Sequence, residues 1–343
     1  LYKIRRSKDV DKVLGFGILG LGIGATRARM VPRTKNAKLV CVCDLQEDKA
    51  RKIAEELECD WCTEYEKMLY RKDIDVIGVF TPSGTHADYA MMAVDAGKHV
   101  FTTKPMDIST EKCDKLIAAA EKAGVILAVD FDLRYVDDLR RIKLAIDNGR
   151  IGKIILSDVR LKWYRDQAYY DGGYPPGWRS RSETEKGSAA NQGVHYIDLL
   201  LWQIGPIESV YGKSGTFTHK IETEDTTVAL LSFKNGSWGT FVTTTTSIPD
   251  LGTTIEINGG GGAIVLKTKE KGLVDLYYCK DNPNASLEEF TLPEDRPMNI
   301  IEDMVSAITK GTPVAVNGIT GRESTKVFNA IYESSKTGKT INL

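Results

Sequence analysis

Several things are scarce in this sequence, and each scarcity excludes something. No apolar run in its 343 residues approaches the roughly 20 needed to cross a bilayer, so no membrane span is expected. Net charge is nearly absent. The 46 Lys and Arg against 47 Asp and Glu leave -1, which gives no broad electrostatic footprint for nucleic acid or an acidic membrane. Cysteine is sparse as well: six residues, at 41, 43, 59, 62, 113 and 279, are too few and too scattered for a disulfide scaffold. Low-complexity linkers and internal repeats are missing. What remains is an ordinary globular composition, 42% hydrophobic and 27% charged, with a length that suggests two domains.

Two short patterns invite sharper readings. Arg5–Arg6 ahead of the apolar run Val13–Leu19 looks like a twin-arginine export signal. The charged residues Ser7–Lys12 separate the two parts, and the apolar run has a better use as a strand, so a cytoplasmic location is expected. Cys59-Asp60-Trp61-Cys62 is a single CxxC with no histidine nearby. Free cysteines are commonly small buried hydrophobes, and no metal site is expected here.

Up to about residue 132, short β-branched strands alternate with amphipathic helices, the pattern of a parallel sheet built from βαβ units. Strands are read at 13–19, 38–43, 76–80, 99–102 and 125–129. Helices are read at 48–58, 86–96 and 110–123, the last capped by Ser109 or Thr110 and stopped by Gly124. Beyond residue 150, β-rich stretches follow one another at 154–164, 209–218, 226–233, 238–246, 253–257, 263–268 and 273–278. Asn235-Gly236 reads as a two-residue hairpin turn. Helical patterns lie at 191–203, 299–309 and 321–335. The expected architecture is α/β: a doubly wound, Rossmann-type parallel sheet over 1–132, then an α+β domain with a large, mostly antiparallel sheet over 133–343.

Two glycine patterns overlap near the start. Gly15-x-Gly17-x-x-Gly20 matches the literal dinucleotide fingerprint, but the residues before Gly15 are too charged for a buried strand. Gly20-x-Gly22-x-x-Ala25 follows the apolar strand and opens a helix, as the chemistry requires. In this register Gly20, Gly22, Ile23 and Gly24 form the turn beneath a pyrophosphate. Asp44, closing the next strand, accepts the ribose hydroxyls and repels a 2′-phosphate, favouring NAD over NADP, with NADP still possible.

A third set of residues carries a family resemblance. Thr81-Pro82-Ser83-Gly84-Thr85-His86, Ala96-Gly97-Lys98-His99-Val100, Lys104-Pro105, Trp178-Arg179 and Asn191-Gln192-Gly193-Val194-His195-Tyr196-Ile197-Asp198 occur in order along nearly the whole chain. In these the chain resembles the glucose–fructose oxidoreductase/inositol dehydrogenase (Gfo/Idh/MocA) family. The resemblance implies hydride transfer between NAD(P) and a hydroxyl or keto carbon of a sugar, polyol or sugar derivative. It implies that Lys104 is catalytic and also near the cofactor, with a cis bond to Pro105, and that Thr81, Pro82, Ser83 and His86 line the nicotinamide side. Thr103 stands where relatives carry Glu.

Asn191, His195 and Asp198 fall at i, i+4 and i+7, one face of a helix. The resemblance makes His195 the catalytic base and Asn191 a substrate ligand, at a position where many relatives carry Asp. Trp178, Arg179 and Tyr135 are candidate substrate-binding residues, by stacking and by hydrogen bonding to hydroxyls or a carboxylate. A homo-oligomer, dimer or tetramer, through the second-domain sheet is implied. Two other readings stay open: a glycosidase-type enzyme that oxidises transiently with retained NAD, and a non-catalytic nucleotide-binding member.

Overall fold

The computed structural model describes residues 12–268 and 274–343. The Arg5–Arg6 pattern and Leu273 lie outside the described residues. The chain forms two compact units, one of residues 12–132 with Pro297–Arg322, the other of Leu133–Arg296 with Glu323–Leu343.

The first unit is built on a parallel sheet of β1 (Leu14–Leu19), β2 (Ala37–Cys43), β3 (Asp60–Cys62), β4 (Val76–Val79), β5 (His99–Thr103) and β6 (Leu127–Asp130), ordered β3-β2-β1-β4-β5-β6. All six residues of β1 are buried, as expected of a central strand covered on both faces. Helices α1 (Gly24–Met30), α2 (Glu47–Leu57), α3 (Tyr65–Leu69), α4 (His86–Asp95) and α5 (Thr110–Ala123) connect the strands. The Ser109 side chain caps α5 by accepting from Lys112 N, and Gly124 ends it in the left-handed region. β3 was not legible in the sequence: it has three residues and borders only β2.

The second unit has an eight-stranded sheet of β7 (Ile154–Lys162), β8 (Ile207–Gly215), β9 (Thr226–Phe233), β10 (Trp238–Thr244), β11 (Gly252–Gly259), β12 (Gly262–Thr268), β13 (Val274–Cys279) and β14 (Ile341–Asn342). Its order is β13-β12-β11-β7-β10-β9-β8-β14, antiparallel throughout except for β7 beside β10. Burial alternates along β9 and β10, so one face packs inward while Val228, Leu230 and Trp238 stand exposed on the other. The β9–β10 hairpin is longer than the two-residue turn read from Asn235-Gly236. Phe233 N bonds to Ser237 O, and the Asn235 side chain bridges Ser237 N and Ile204 O, which holds the wider loop. Helices α6 (Asp137–Asp147), α7 (Gln167–Asp171), α8 (Ser188–Asn191) and α9 (Val194–Gln203) belong to this unit.

Near the carboxyl end come α10 (Ile300–Lys310) and α11 (Gly318–Thr337). Residues 297–322 fold with the first unit, although the sequence pattern assigned everything after 132 to the second. Backbone pairing explains the return: Val129 N donates to Val316 O beside β6, and Ala128 bridges to Asn317. Among the described residues, no helix is long and apolar enough to cross a membrane.

Candidate active site

In the first unit, the loops that follow β1, β2, β4 and β5 all emerge at the carboxyl ends of the parallel strands. The strand order reverses between β1 and β4, the place where open α/β sheets bind ligands. Gly15 and Gly17 lie inside β1 against Asp73 and Met68, so they take no part in the turn. Gly20 has φ +83, and a Cβ there would sit 2.5 Å from Phe80 O. Gly22 is exposed, and a Cβ on it would meet nothing within 4 Å; a pyrophosphate has room to approach this stretch of backbone. Close packing of α1 falls on Gly24, against the Phe80 ring, as much as on buried Ala25. Ile23, between Gly22 and Gly24, is exposed.

Asp44 ends β2 and is buried. Its Oδ2 accepts from Leu21 N at 2.7 Å and its Oδ1 from Gln46 N at 2.9 Å, while Lys49 Nζ lies 3.3 Å from Oδ2. Gln46, not Asp44, occupies the N-cap position of α2. The carboxylate is therefore tied to the glycine loop, and with about four lone-pair sites it keeps capacity for ribose hydroxyls.

Thr81, Pro82 and Ser83 form the loop after β4, with Thr85 Oγ1 bonded to Thr81 Oγ1 and Pro82 O. Lys104 follows β5, and its bond to Pro105 is cis. His86 joins the two loops. It is fully enclosed, with Nδ1 2.7 Å from Pro105 O and Nε2 2.6 Å from Thr81 O. Burial pushes its imidazole down to about 4, helped by the nearby Lys104 charge and opposed by the two carbonyls. Both ring nitrogens face the protein's own carbonyls, so the ring ties the two loops together. Asp107 reinforces the same corner by accepting from Ala87 N and Ser109 N.

In the second unit, Asn191 closes α8 and His195 lies in the first turn of α9. Gly193 stands between them. A Cβ there would strike Ala189 O at 2.7 Å and Phe241 at 2.8 Å, so glycine lets this turn lie directly on β10. Asp198, expected on the same polar face, has a different task. It is buried and takes Arg134 Nε and Nη2 at 2.7 and 2.8 Å, with Trp202 beneath the guanidinium. A period-3.6 pattern cannot foresee an arginine 64 positions away.

Two acids that the sequence reading missed support α8. Glu185, 1% exposed, accepts from Asn191 Nδ2 at 2.5 Å. Glu224 is fully enclosed and accepts from Ala189 N, Ser188 Oγ and Tyr332 OH at 2.7, 2.7 and 2.9 Å. Burial pushes the Glu224 carboxyl up to about 7, against those donors. Raised above its unfolded value of about 4.5, it contributes stability that is complete below pH 4.5 and lost as pH rises through 7. The expected difference is about 3 kcal/mol between pH 4 and pH 8, at 1.36 kcal/mol per pH unit. Glu224→Gln should flatten the stability profile across that window. Urea unfolding of both proteins at pH 5 and pH 8 checks it, and an unchanged slope would refute the assignment.

Trp178 and Arg179 sit together: the Arg179 guanidinium lies 4.6 Å from the Trp178 ring and 4.7 Å from that of Tyr169. Tyr135 is buried, with the Arg140 guanidinium 5.6 Å from its ring. The CxxC does not act as a pair. Cys62 joins Cys41 across the β2–β3 edge, Sγ to Sγ 3.9 Å, and hydrogen bonding to Cys62 followed by burial holds the Cys41 and Cys43 thiols far above the ordinary range. Among the described residues, no group of His, Cys, Asp and Glu is arranged to hold a metal.

Comparisons with known proteins bear on the family and the fold. Residues 14–131 match the model of an oxidoreductase family with an NAD-binding Rossmann fold, and residues 139–265 match the Gfo/Idh/MocA C-terminal domain. The chain is 24% identical to myo-inositol 2-dehydrogenase of Thermotoga maritima, over 95% of this chain and 98% of that protein. It is 26% identical to D-glucoside 3-dehydrogenase of Escherichia coli, over 98% and 100%. Among solved structures, the WlbA dehydrogenase of Bordetella pertussis, in complex with NADH and UDP-GlcNAcA, superposes with a TM-score of 0.87 at 29% identity, over 97% of this chain and 99% of that one.

Proposed function

The chain belongs to the Gfo/Idh/MocA family of NAD-binding oxidoreductases, and on that footing we propose that it oxidises a secondary hydroxyl of a sugar or sugar derivative, or reduces the matching ketone. The balanced reaction converts CH–OH and NAD+ into C=O, NADH and one proton. NAD, when bound, supplies the hydride acceptor.

The single observation that carries this reading is the clustering at the carboxyl ends of neighbouring strands. The open backbone at Gly22 follows β1, the Thr81–Ser83 loop follows β4 and Lys104 follows β5. Gly20, Gly22, Ile23 and Gly24 hold the pyrophosphate, Asp44 the adenosine ribose, and Thr81, Pro82 and Ser83 the nicotinamide side. Lys104 Nζ stabilises the alkoxide as the hydroxyl carbon gives up its hydride. His195 accepts the hydroxyl proton, and Asn191 hydrogen-bonds a neighbouring hydroxyl. Relatives that act on inositol and glucosides, and one solved with a nucleotide sugar, support the substrate class. The exposed apolar face of β9 and β10 supports assembly into a dimer or tetramer, and we place the enzyme in the cytoplasm; light scattering that finds a monomer would remove the first of these.

The experiment is NADH formation from NAD with a panel of polyols, glycosides and nucleotide sugars, and a flat panel on protein that binds NAD would overturn the proposal. Asp44 carries a separate expectation. Asp44→Ala should weaken NAD about 10- to 100-fold, the worth of a charged hydrogen bond, and shrink the preference over NADP. Titration of both nucleotides checks it, and wild-type protein that binds NADP more tightly would sink the role given to this carboxylate.

A further inference from the structure

The second unit contains two arginines whose charge the described residues leave unanswered. Arg179 is sandwiched between Trp178 and Tyr169, at 4.6 and 4.7 Å. Arg165 approaches the same Tyr169 ring at 5.5 Å and also stacks on Trp163 at 5.1 Å. Arg165 Nη1 donates to Tyr164 O at 2.7 Å, and Arg179 Nη1 reaches Tyr169 O at 3.4 Å and also interacts with the Tyr169 side chain. Among the described residues neither has a salt bridge, whereas Arg134, Arg140 and Arg296 of the same unit each have a carboxylate.

Stacking covers the faces of a guanidinium and leaves its in-plane donors as the unsatisfied part, a fork that suits the paired oxygens of a carboxylate or phosphate. The backbone gives way to this stack. Gly173 has φ +85, and a Cβ on it would meet Trp178 Nε1 at 2.5 Å and Arg179 Nη1 at 2.9 Å. Tyr169 links the arginines to the helix of the candidate site. Its hydroxyl accepts from Gln192 Nε2 at 3.0 Å, and Gln192 is the immediate neighbour of Asn191. The acid near Tyr169, Glu185, accepts from Asn191 Nδ2 and Lys186 N.

We propose that Arg179, with Arg165 beside it, is the recognition site for an anionic group carried by the substrate, a carboxylate or a phosphate, so that the enzyme takes acidic sugars ahead of neutral polyols. This rests on the oxidoreductase reading for what Asn191 binds, but the anion site can be measured without turnover. Calorimetric titration of the NADH-loaded protein with D-glucuronate, D-glucose 1-phosphate and myo-inositol separates the sources. At least one acidic probe should bind tenfold or more tightly than myo-inositol, and the better of the two identifies carboxylate or phosphate.

Arg179→Gln should remove about 10- to 100-fold of the acidic probe's affinity and leave myo-inositol within about threefold, with Arg179→Lys in between. Arg165→Gln and a titration at high salt give the same contrast should the Arg179 variant fold poorly. Equal affinity for acidic and neutral probes, no measurable binding of any probe, or indifference to both substitutions would overturn the proposal. Acid-selective binding without NADH formation would leave it standing and remove the oxidoreductase reading instead.

Discussion

Lys104→Met should lower turnover by about 10²- to 10³-fold, the loss seen when one donor to a developing oxyanion is removed, while NAD affinity stays within a few-fold. The asymmetry follows from where the residue stands. The proposed cofactor contacts come from Gly20–Gly24, Asp44 and the loop after β4, each held by its own bonds. Lys104 is carried on a separate turn, fixed by the His86 ring between Pro105 O and Thr81 O. Methionine keeps the length and apolar stem of the side chain and removes its charge. Steady-state rates against a substrate found in the panel, with NAD titrated separately, make the measurement. A variant that keeps a tenth of wild-type turnover would show that another group stabilises the alkoxide.

How much of this could be read beforehand differs between residues. The glycine loop was legible because its signals are local: a buried strand, a left-handed glycine and an open backbone lie within a few positions of one another. Helix α5 was legible for the same reason, with its cap at Ser109 and its stop at Gly124 adjacent to the pattern they bound. What the sequence hid was long-range polar pairing. Asp198 reads as part of a reactive helix face until Arg134 is found across it. Glu185 and Glu224 sit in irregular stretches, and only the fold brings them beneath α8. Arg27, on the helix after the glycine loop, meets Asp130 at 2.6 Å through a contact spanning 103 positions. Hydrophobic periodicity reports burial and is silent on which buried charges find each other.

His195→Asn should lower kcat by about 10²- to 10⁴-fold, the usual worth of a positioned general base, and should do so through the proton and not through packing. The residue lies half-exposed in the first turn of α9, where Gly193 allows the chain to press onto β10, so an amide of similar size leaves that turn in place. Its neighbour one turn back, Asn191, is held by Glu185 and, being an amide, takes no proton itself. The pH profile therefore separates the two explanations for a slow variant. If His195 accepts the hydroxyl proton, kcat/KM for oxidation rises with pH along an ascending limb in the wild type, and this limb disappears in His195→Asn. If the histidine only packs, the variant loses rate uniformly and keeps the limb. Reduction of the ketone gives the mirror image, because the protonated ring is then the reactive form, and a limb with the same sign in both directions would rule out His195 as the acid–base group.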